Sequence, residues 1–285
     1  MGDPVRVVTD STAALPAGLA ERLGVLVVPL QVELGGRSGL EGVDIAPRDV
    51  AGALGRHEVV STSQPGPAAF AAAFAELAAQ GATDVVAVHL SSRLSGTCDA
   101  ARMAARAAAQ EGLRVEIVDS RSATMGLGFA VLAAVRAVER GASSLEVAAA
   151  AREAVQQIDT FYCLDTLEHA RRGGRVRATQ ALVGAALGVK PILQVVDGAI
   201  EPLERVRTAG RALQRLEDLA VDRAAGERVE VAVHHLAAPD RADMLASRLD
   251  DRLGSRLEEM TVTEVGAVIG AHGGPGLIGV VVHRL

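Results

Sequence analysis

The sequence predicts an α/β protein of two domains: an N-terminal one on a mostly parallel sheet with helices on both faces, and a C-terminal one with a mixed sheet. Three observations carry this. In the first half, short aliphatic runs alternate with Ala-rich helical stretches, the rhythm of βαβ units. In the second half strand-like runs dominate, and Asp197-Gly198 between two of them is a hairpin signal, so that sheet is at least partly antiparallel. The chain has 285 residues, 49% of them hydrophobic, enough for two cores. The boundary is placed near Ile158, giving domains 1–158 and 159–285.

Taken in order, Val5 to Val8, Val25 to Leu30, Val85 to Leu90 and Val115 to Val118 are the strands of the first half. Pro67 opens a helix that runs through Gln80 to Gly81, and Thr97 to Gln110 has small or apolar residues at helical spacing before Gly112. A long helical region covers Gly126 to Arg140 and Ser144 to Ile158, broken by Gly141 and capped by Ser143 or Ser144. Beyond it Phe161 to Leu164, Lys190 to Val196, Ile200 to Val206, Val229 to His235, Glu258 to Val265 and Leu277 to His283 are strands.

Composition narrows the function. With 29 Lys plus Arg against 35 Asp plus Glu, the net charge of −6 argues against nucleic acid, which needs a basic footprint, and 2% aromatics without Trp removes stacking platforms. Ala makes up about a fifth of the chain, well above ordinary usage, so the core is aliphatic and made of small residues. No apolar run nears the roughly 18 residues that span a bilayer, and Met1 to Arg6 lacks a signal-peptide pattern; a cytoplasmic protein without a transmembrane segment is expected. Cys98 and Cys163 lack CxxC spacing and are expected as small buried residues, although Cys98 sits at a helix start, where a thiol's pKa can fall.

Polar chemistry gathers at strand ends, where open α/β sheets place ligands. Val8-Thr9-Asp10-Ser11-Thr12 follows the first strand, Ser61-Thr62-Ser63-Gln64-Pro65 precedes a helix, and Ser91-Ser92-Arg93-Leu94-Ser95-Gly96-Thr97 joins strand to helix. Capping explains one such loop alone. Two hydroxyl loops at helix N-termini make a carboxylate site, and Gly96 lets the backbone approach a ligand. Gly270-Ala271-His272-Gly273-Gly274-Pro275-Gly276 puts a His in a Gly-rich turn, which makes His272 the leading titratable candidate. His234 and His235 point to opposite faces of a strand and the other histidines show no ligand spacing, so no metal site is expected. Gly274 to Gly279 spells GxGxxG but leads into a strand, and no P-loop is present. In Arg171-Arg172-Gly173-Gly174-Arg175-Val176-Arg177 a helix end accounts for the first two arginines, while Arg175, after two glycines, is better placed to meet a phosphate or a protein partner.

In this order, Val8-Thr9-Asp10-Ser11-Thr12 with Leu15-Pro16, Val28-Pro29-Leu30, Thr62-Ser63-Gln64-Pro65, Ser91-Ser92 with Leu94-Ser95-Gly96-Thr97, Val118-Asp119-Ser120, Leu164 and Leu167 with Gly173-Gly174-Arg175, Lys190-Pro191-Ile192, Arg207-Thr208 and His272-Gly273-Gly274-Pro275-Gly276 resemble the DegV family of bacterial fatty-acid-binding proteins. The resemblance spans nearly the whole chain. It implies a lipid-binding protein rather than an enzyme, with one long-chain fatty acid in an interior tunnel between two domains. It also implies a partner: a separate ATP-dependent fatty acid kinase, a dihydroxyacetone-kinase-like protein, that makes an acyl phosphate for phospholipid synthesis, with transient membrane contact. No cofactor beyond the fatty acid is expected. By similarity Thr62, Ser63, Ser95, Gly96, Thr97 and His272 bind the ligand, while Arg175, Arg207 and His272 face the kinase. Two departures stand out: Gly66 occupies a place where the family often has Ser, and Ser38 to Gly42 lacks the usual Tyr and Asp.

Burying about 15 methylenes at roughly 0.8 kcal/mol each gives a gross gain near 12 kcal/mol before ordering costs, so a tunnel lined by small aliphatic residues holds a lipid with few polar contacts. Two other readings compete. An acyl hydrolase would use Ser95 as nucleophile, His272 as base, Asp10 or Asp119 as orienter and the His-Gly-Gly turn as oxyanion hole, although Leu94-Ser95-Gly96 is not a GxSxG elbow. A nucleotide sensor is weaker, because both glycine motifs fail on context.

Overall fold

The computed structural model describes residues 4–176 and 189–285, so Arg177 of the basic stretch lies outside the described residues. In chain order the elements are β1 (Val5–Asp10), α1 (Leu19–Arg22), β2 (Leu26–Val28), β3 (Gln31–Leu34), β4 (Arg37–Leu40), α2 (Pro47–Gly55), β5 (Val60–Ser63), α3 (Pro67–Ala79), β6 (Asp84–His89), α4 (Thr97–Gln110), β7 (Arg114–Asp119), α5 (Met125–Glu139) and α6 (Ser144–Gln156). They continue with β8 (Ile158–Cys163), α7 (Glu168–Gly173), β9 (Lys190–Val196), β10 (Ala199–Val206), α8 (Ala209–Ala224), β11 (Val229–His235), α9 (Pro239–Leu253), β12 (Leu257–Glu264), α10 (Ala267–Gly273) and β13 (Ile278–Arg284).

The chain divides into two compact units, 1–31 with 63–156, and 32–62 with 157–285. The first unit is a parallel sheet in the order β2-β1-β6-β7. Successive side chains of a strand point to opposite faces. Val86 and Val88 therefore pack with Leu127, Ala130 and Val131 of α5 and Val147 and Ala148 of α6, while Val85 and Ala87 pack with Phe70 and Phe74 of α3 and Ala100, Ala101 and Ala104 of α4. Ala-rich helices suit this sheet because their methyl faces approach it closely and cost no side-chain entropy. The chain leaves β1 to one side for β2 and later returns on the other side at β6, so the crevice beyond the carboxyl ends of β1 and β6 is the sheet's topological switch point.

The second unit carries a six-stranded mixed sheet, β10-β9-β8-β13-β11-β12, antiparallel except for the β11–β12 pair. Asp197 and Gly198, with φ of 50° and 82°, make the tight turn between β9 and β10. One face packs on α8 and α9 through Leu213, Leu216, Leu245 and Leu249. On the other, Tyr162, Leu193 and Leu236 meet Ala170 of α7, Ile269 of α10 and Ala51 of α2.

Residues 32–62 lie in the second compact unit, whereas a boundary near Ile158 groups them with the first half of the chain. They fold as the sheet β4-β3-β5 and helix α2, and α2 packs on α10 in the second unit. Local sequence pattern assigns no element between Leu30 and Pro67, and here Ala51 of α2 belongs to the core of Leu236 and Val265. The helices of this mixed α/β unit, α8 and α9, fill the intervals between the expected strands and cover a whole face of the sheet. Their apolar stripes recur at helical spacing, Leu213, Leu216 and Ala220 in α8, with charged residues such as Arg215 between them.

Candidate functional site

In the first unit the loops beyond β1 and β6 are held by one buried carboxylate. Asp10 accepts the Thr12 N–H at 3.0 Å, the Leu90 N–H at 3.0 Å and a bond from His89 Nδ1 at 3.1 Å. Asp10 and His89 are both fully buried, and Phe70 packs edge-on against the His89 ring. Asp10 thus ties the turn after β1 to the start of the 90–97 loop. At the end of that loop Ser95 Oγ lies 2.9 Å from Thr97 Oγ1. Gly96 is the N-cap of α4, and no side chain caps that helix. Its φ of −76° is open to any residue; what singles it out is proximity, because a Cβ there would collide with the Gln64 side chain. Ser63 Oγ bonds Gln31 Oε1 at 3.2 Å.

In the second unit Thr62, near the end of β5, places its Oγ1 2.9 Å from Nε2 of His272. His272 sits in the last turn of α10 rather than in a free Gly-rich turn, and Gly274, at φ 76°, follows as the C-cap. Burial pushes the His272 pKa down to about 4, and the Arg175 guanidinium adds to the effect. The imidazole is therefore neutral at pH 7, one ring nitrogen a donor and the other an acceptor. Gly173, at the end of α7, is a glycine for a reason that spacing did not reveal: a Cβ there would run into the His272 ring. Arg175 is exposed and its guanidinium donates to the Gly173 carbonyl. Arg207 is also exposed, just before Thr208, which caps α8 by accepting the Arg211 N–H at 3.2 Å.

The structure thus gathers Thr62, His272, Gly173 and Arg175 in one unit, and Ser95, Gly96 and Thr97 in the other. The hydrolase arrangement loses its orienters. Asp10 is engaged with His89, and Asp119 accepts the N–H groups of Ser92 and Arg121. In the His-Gly-Gly turn considered as its oxyanion hole, the Gly274 N–H is also engaged, donating to the Gly270 carbonyl at 2.8 Å. The cysteines follow the bland expectation. Cys98, although in the first turn of α4, is fully buried and its pKa is pushed up to about 12, chiefly by desolvation, so the lowering considered for a helix start does not occur. His234 is buried with Nδ1 2.9 Å from Thr263 Oγ1. Among the described residues no group of three His, Cys, Asp or Glu is placed to hold a metal ion, and no helix is long and apolar enough to cross a membrane.

Comparison with known proteins agrees with this architecture. A DegV domain-containing protein of Streptomyces coelicolor is 51% identical over 282 residues, 99% of either chain. One of Mycobacterium tuberculosis is 40% identical over 279 residues, covering 98% of this chain and 96% of its own. Among solved structures, a DegV family protein from Thermus thermophilus described for its fatty acid binding superposes with a TM-score of 0.91 at 34% identity, covering 99% of both chains. DegV of Bacillus subtilis, described as a fatty acid binding protein, gives 0.87 at 29%, again with 99% of both chains covered. The family model described as "Uncharacterised protein, DegV family" matches residues 4–284, and with that span and those relatives this chain belongs to the DegV family.

Proposed function

We propose that this protein binds one long-chain fatty acid in its interior, with the carboxylate on Ser and Thr hydroxyls, and presents it to a separate ATP-dependent kinase that forms the acyl phosphate. The observation that carries the binding step is the full-length likeness, at 34% identity, to a DegV protein described for fatty acid binding. The local chemistry supports it. A carboxylate that leaves water must be hydrogen-bonded, and Ser95, Thr97, Ser63 and Thr62 supply hydroxyl donors without a buried cation. At pH 7 His272 adds a neutral imidazole, which can donate without the desolvation cost of an imidazolium. Ala and Val dominate the clusters on both faces of the first unit's sheet, the small side chains that a tunnel for an acyl chain requires. The kinase step rests on the resemblance, with Arg175, Arg207 and His272 as the residues of that face.

The test is native mass spectrometry of the purified protein, then organic extraction and lipid analysis. Binding predicts a stoichiometric adduct of about 250 to 285 Da, the mass of an acid with some 15 methylenes, with its occupancy reduced in Ser95→Ala. A clean apo mass that stays unchanged after incubation with oleate and palmitate overturns the reading. For the second step, acyl phosphate formed from the bound acid by a purified bacterial fatty acid kinase and ATP, and lost in Arg175→Ala, is the expected result.

A further inference from the structure

Segment 32–62 grips α10 at both of its ends. At the C-terminal end Thr62 meets His272. At the N-terminal end the Glu41 side chain, 5% exposed, accepts the Val268 N–H through Oε1 at 2.7 Å. The N-cap residue of α10 is Gly266, which has no side chain to offer, and a Cβ there would collide with Oε1 of Glu41. The helix therefore takes its cap from residue 41, in the loop after β4. Between the two ends α10 packs on α2 of the same segment, Gly270 lying beside Val50.

Val268 and His272 are four residues apart, so they share a face of the helix, about 6 Å apart along its axis. Whatever fixes the Val268 N–H in space fixes the ring of His272 one turn later. We propose that Glu41 is a positioning residue for His272: its carboxylate sets where the first turn of α10 stands and thereby aligns Nε2 on Thr62. The proposal rests on the reading of His272 as part of the carboxylate site. It also gives a role to the stretch Ser38 to Gly42, the end of β4 and the loop after it, whose sequence departs from the family pattern.

The experiment compares wild type, Glu41→Ala, Glu41→Gln, Thr62→Val, His272→Ala and the Glu41→Ala/His272→Ala double variant by two readouts. The first is the ¹⁵N resonance of His272 Nε2 in ligand-free protein, which reports its hydrogen bond. Glu41→Ala is expected to move it toward its position in Thr62→Val, and Glu41→Gln, which keeps an acceptor oxygen, to leave it near wild type. The second is oleate affinity. Glu41→Ala is expected to weaken it about tenfold, the size of one hydrogen bond to a charged group, and to add nothing in the His272→Ala background, even though the thermal midpoint falls further there. An unmoved Nε2 resonance in Glu41→Ala, or affinity losses that multiply in the double variant, overturns the proposal. If wild type takes up no oleate, the fatty acid reading fails while the resonance still decides the role of Glu41. Should Glu41→Ala not fold, Glu41→Asp, which draws the oxygens back by one methylene, gives the same readouts.

Discussion

Thr62 and His272 stand 210 positions apart in the chain and 2.9 Å apart at Oγ1 and Nε2. The bond spans an inserted three-stranded sheet and the last helix of the same unit, so it contributes both to fold and to the proposed site. Thr62→Val keeps the shape and removes the partner, leaving a mostly buried ring nitrogen unsatisfied, at a cost of about 1–3 kcal/mol. Urea denaturation should show a lower midpoint at unchanged slope, and Thr62→Ser, which keeps the hydroxyl, should recover most of it. An unshifted midpoint in Thr62→Val would show that the bond is not made in solution.

Stability should fall with acidification through a window set by two histidines. Burial holds His272 and His234 at about 4 in the folded protein, against about 6.5 in an unfolded chain. Below pH 6.5 the unfolded state therefore binds more protons than the folded one, and stability decreases as pH falls. The loss levels off below pH 4, where both states are protonated, and amounts to about 3 kcal/mol for each histidine. Denaturation curves at intervals from pH 7.5 to 4 should show this slope, and His234→Gln should remove one share of it. A variant curve parallel to wild type over that range contradicts the assignment.

Gly173 and Gly210 predict opposite outcomes for the same substitution. A Cβ at Gly173 meets the His272 ring, whereas at Gly210, in the first turn of α8, nothing lies within 4 Å. Gly173→Ala should destabilise by roughly 1–3 kcal/mol, because the ring or α7 must shift, and should weaken fatty acid uptake. Gly210→Ala relieves the unfolded chain of entropy and should stabilise by about 0.4–1 kcal/mol. Calorimetry on the two variants checks both; equal midpoints would mean that His272 does not rest on Gly173.

Much of this architecture is legible from local pattern. The Thr97–Gln110 helix, the Lys190–Val196 and Val229–His235 strands and the Asp197-Gly198 turn are each dictated by residues a few positions apart, and the structure has them at those bounds. The hydroxyl loops are legible too, since Ser95 and Thr97 lie in one short stretch beside a helix start. What spacing does not reveal is contact between remote segments: Thr62 with His272, Glu41 with Val268, Gly173 against an imidazole. The segment 32–62 shows the cause. Gly35 and Gly36, both at positive φ, signal a turn between β3 and β4, yet no local feature states which core Val50 and Ala51 will join. His272 illustrates the same limit, because its glycine neighbours suggest an exposed turn while the helix that buries it is recognised only from packing around Ile269.

The two cysteines should behave as inert core residues. Cys98 is fully buried with its pKa pushed up to about 12, by desolvation first and by the Asp119 charge next. For Cys163, burial and then the Asp165 charge push the value up to about 11. The thiolate is the reactive form, so at pH 8 the thiolate population of either residue is negligible while the protein stays folded. Iodoacetamide at pH 8 should leave the native protein unmodified for hours and add two carbamidomethyl groups after unfolding in guanidinium, as read by intact mass. Labelling that tracks the unfolding equilibrium through a denaturant series would confirm that burial alone protects them. Rapid modification of Cys98 in the native protein would instead mean that the first turn of α4 opens readily, placing a reactive thiol beside Ser95 and Thr97.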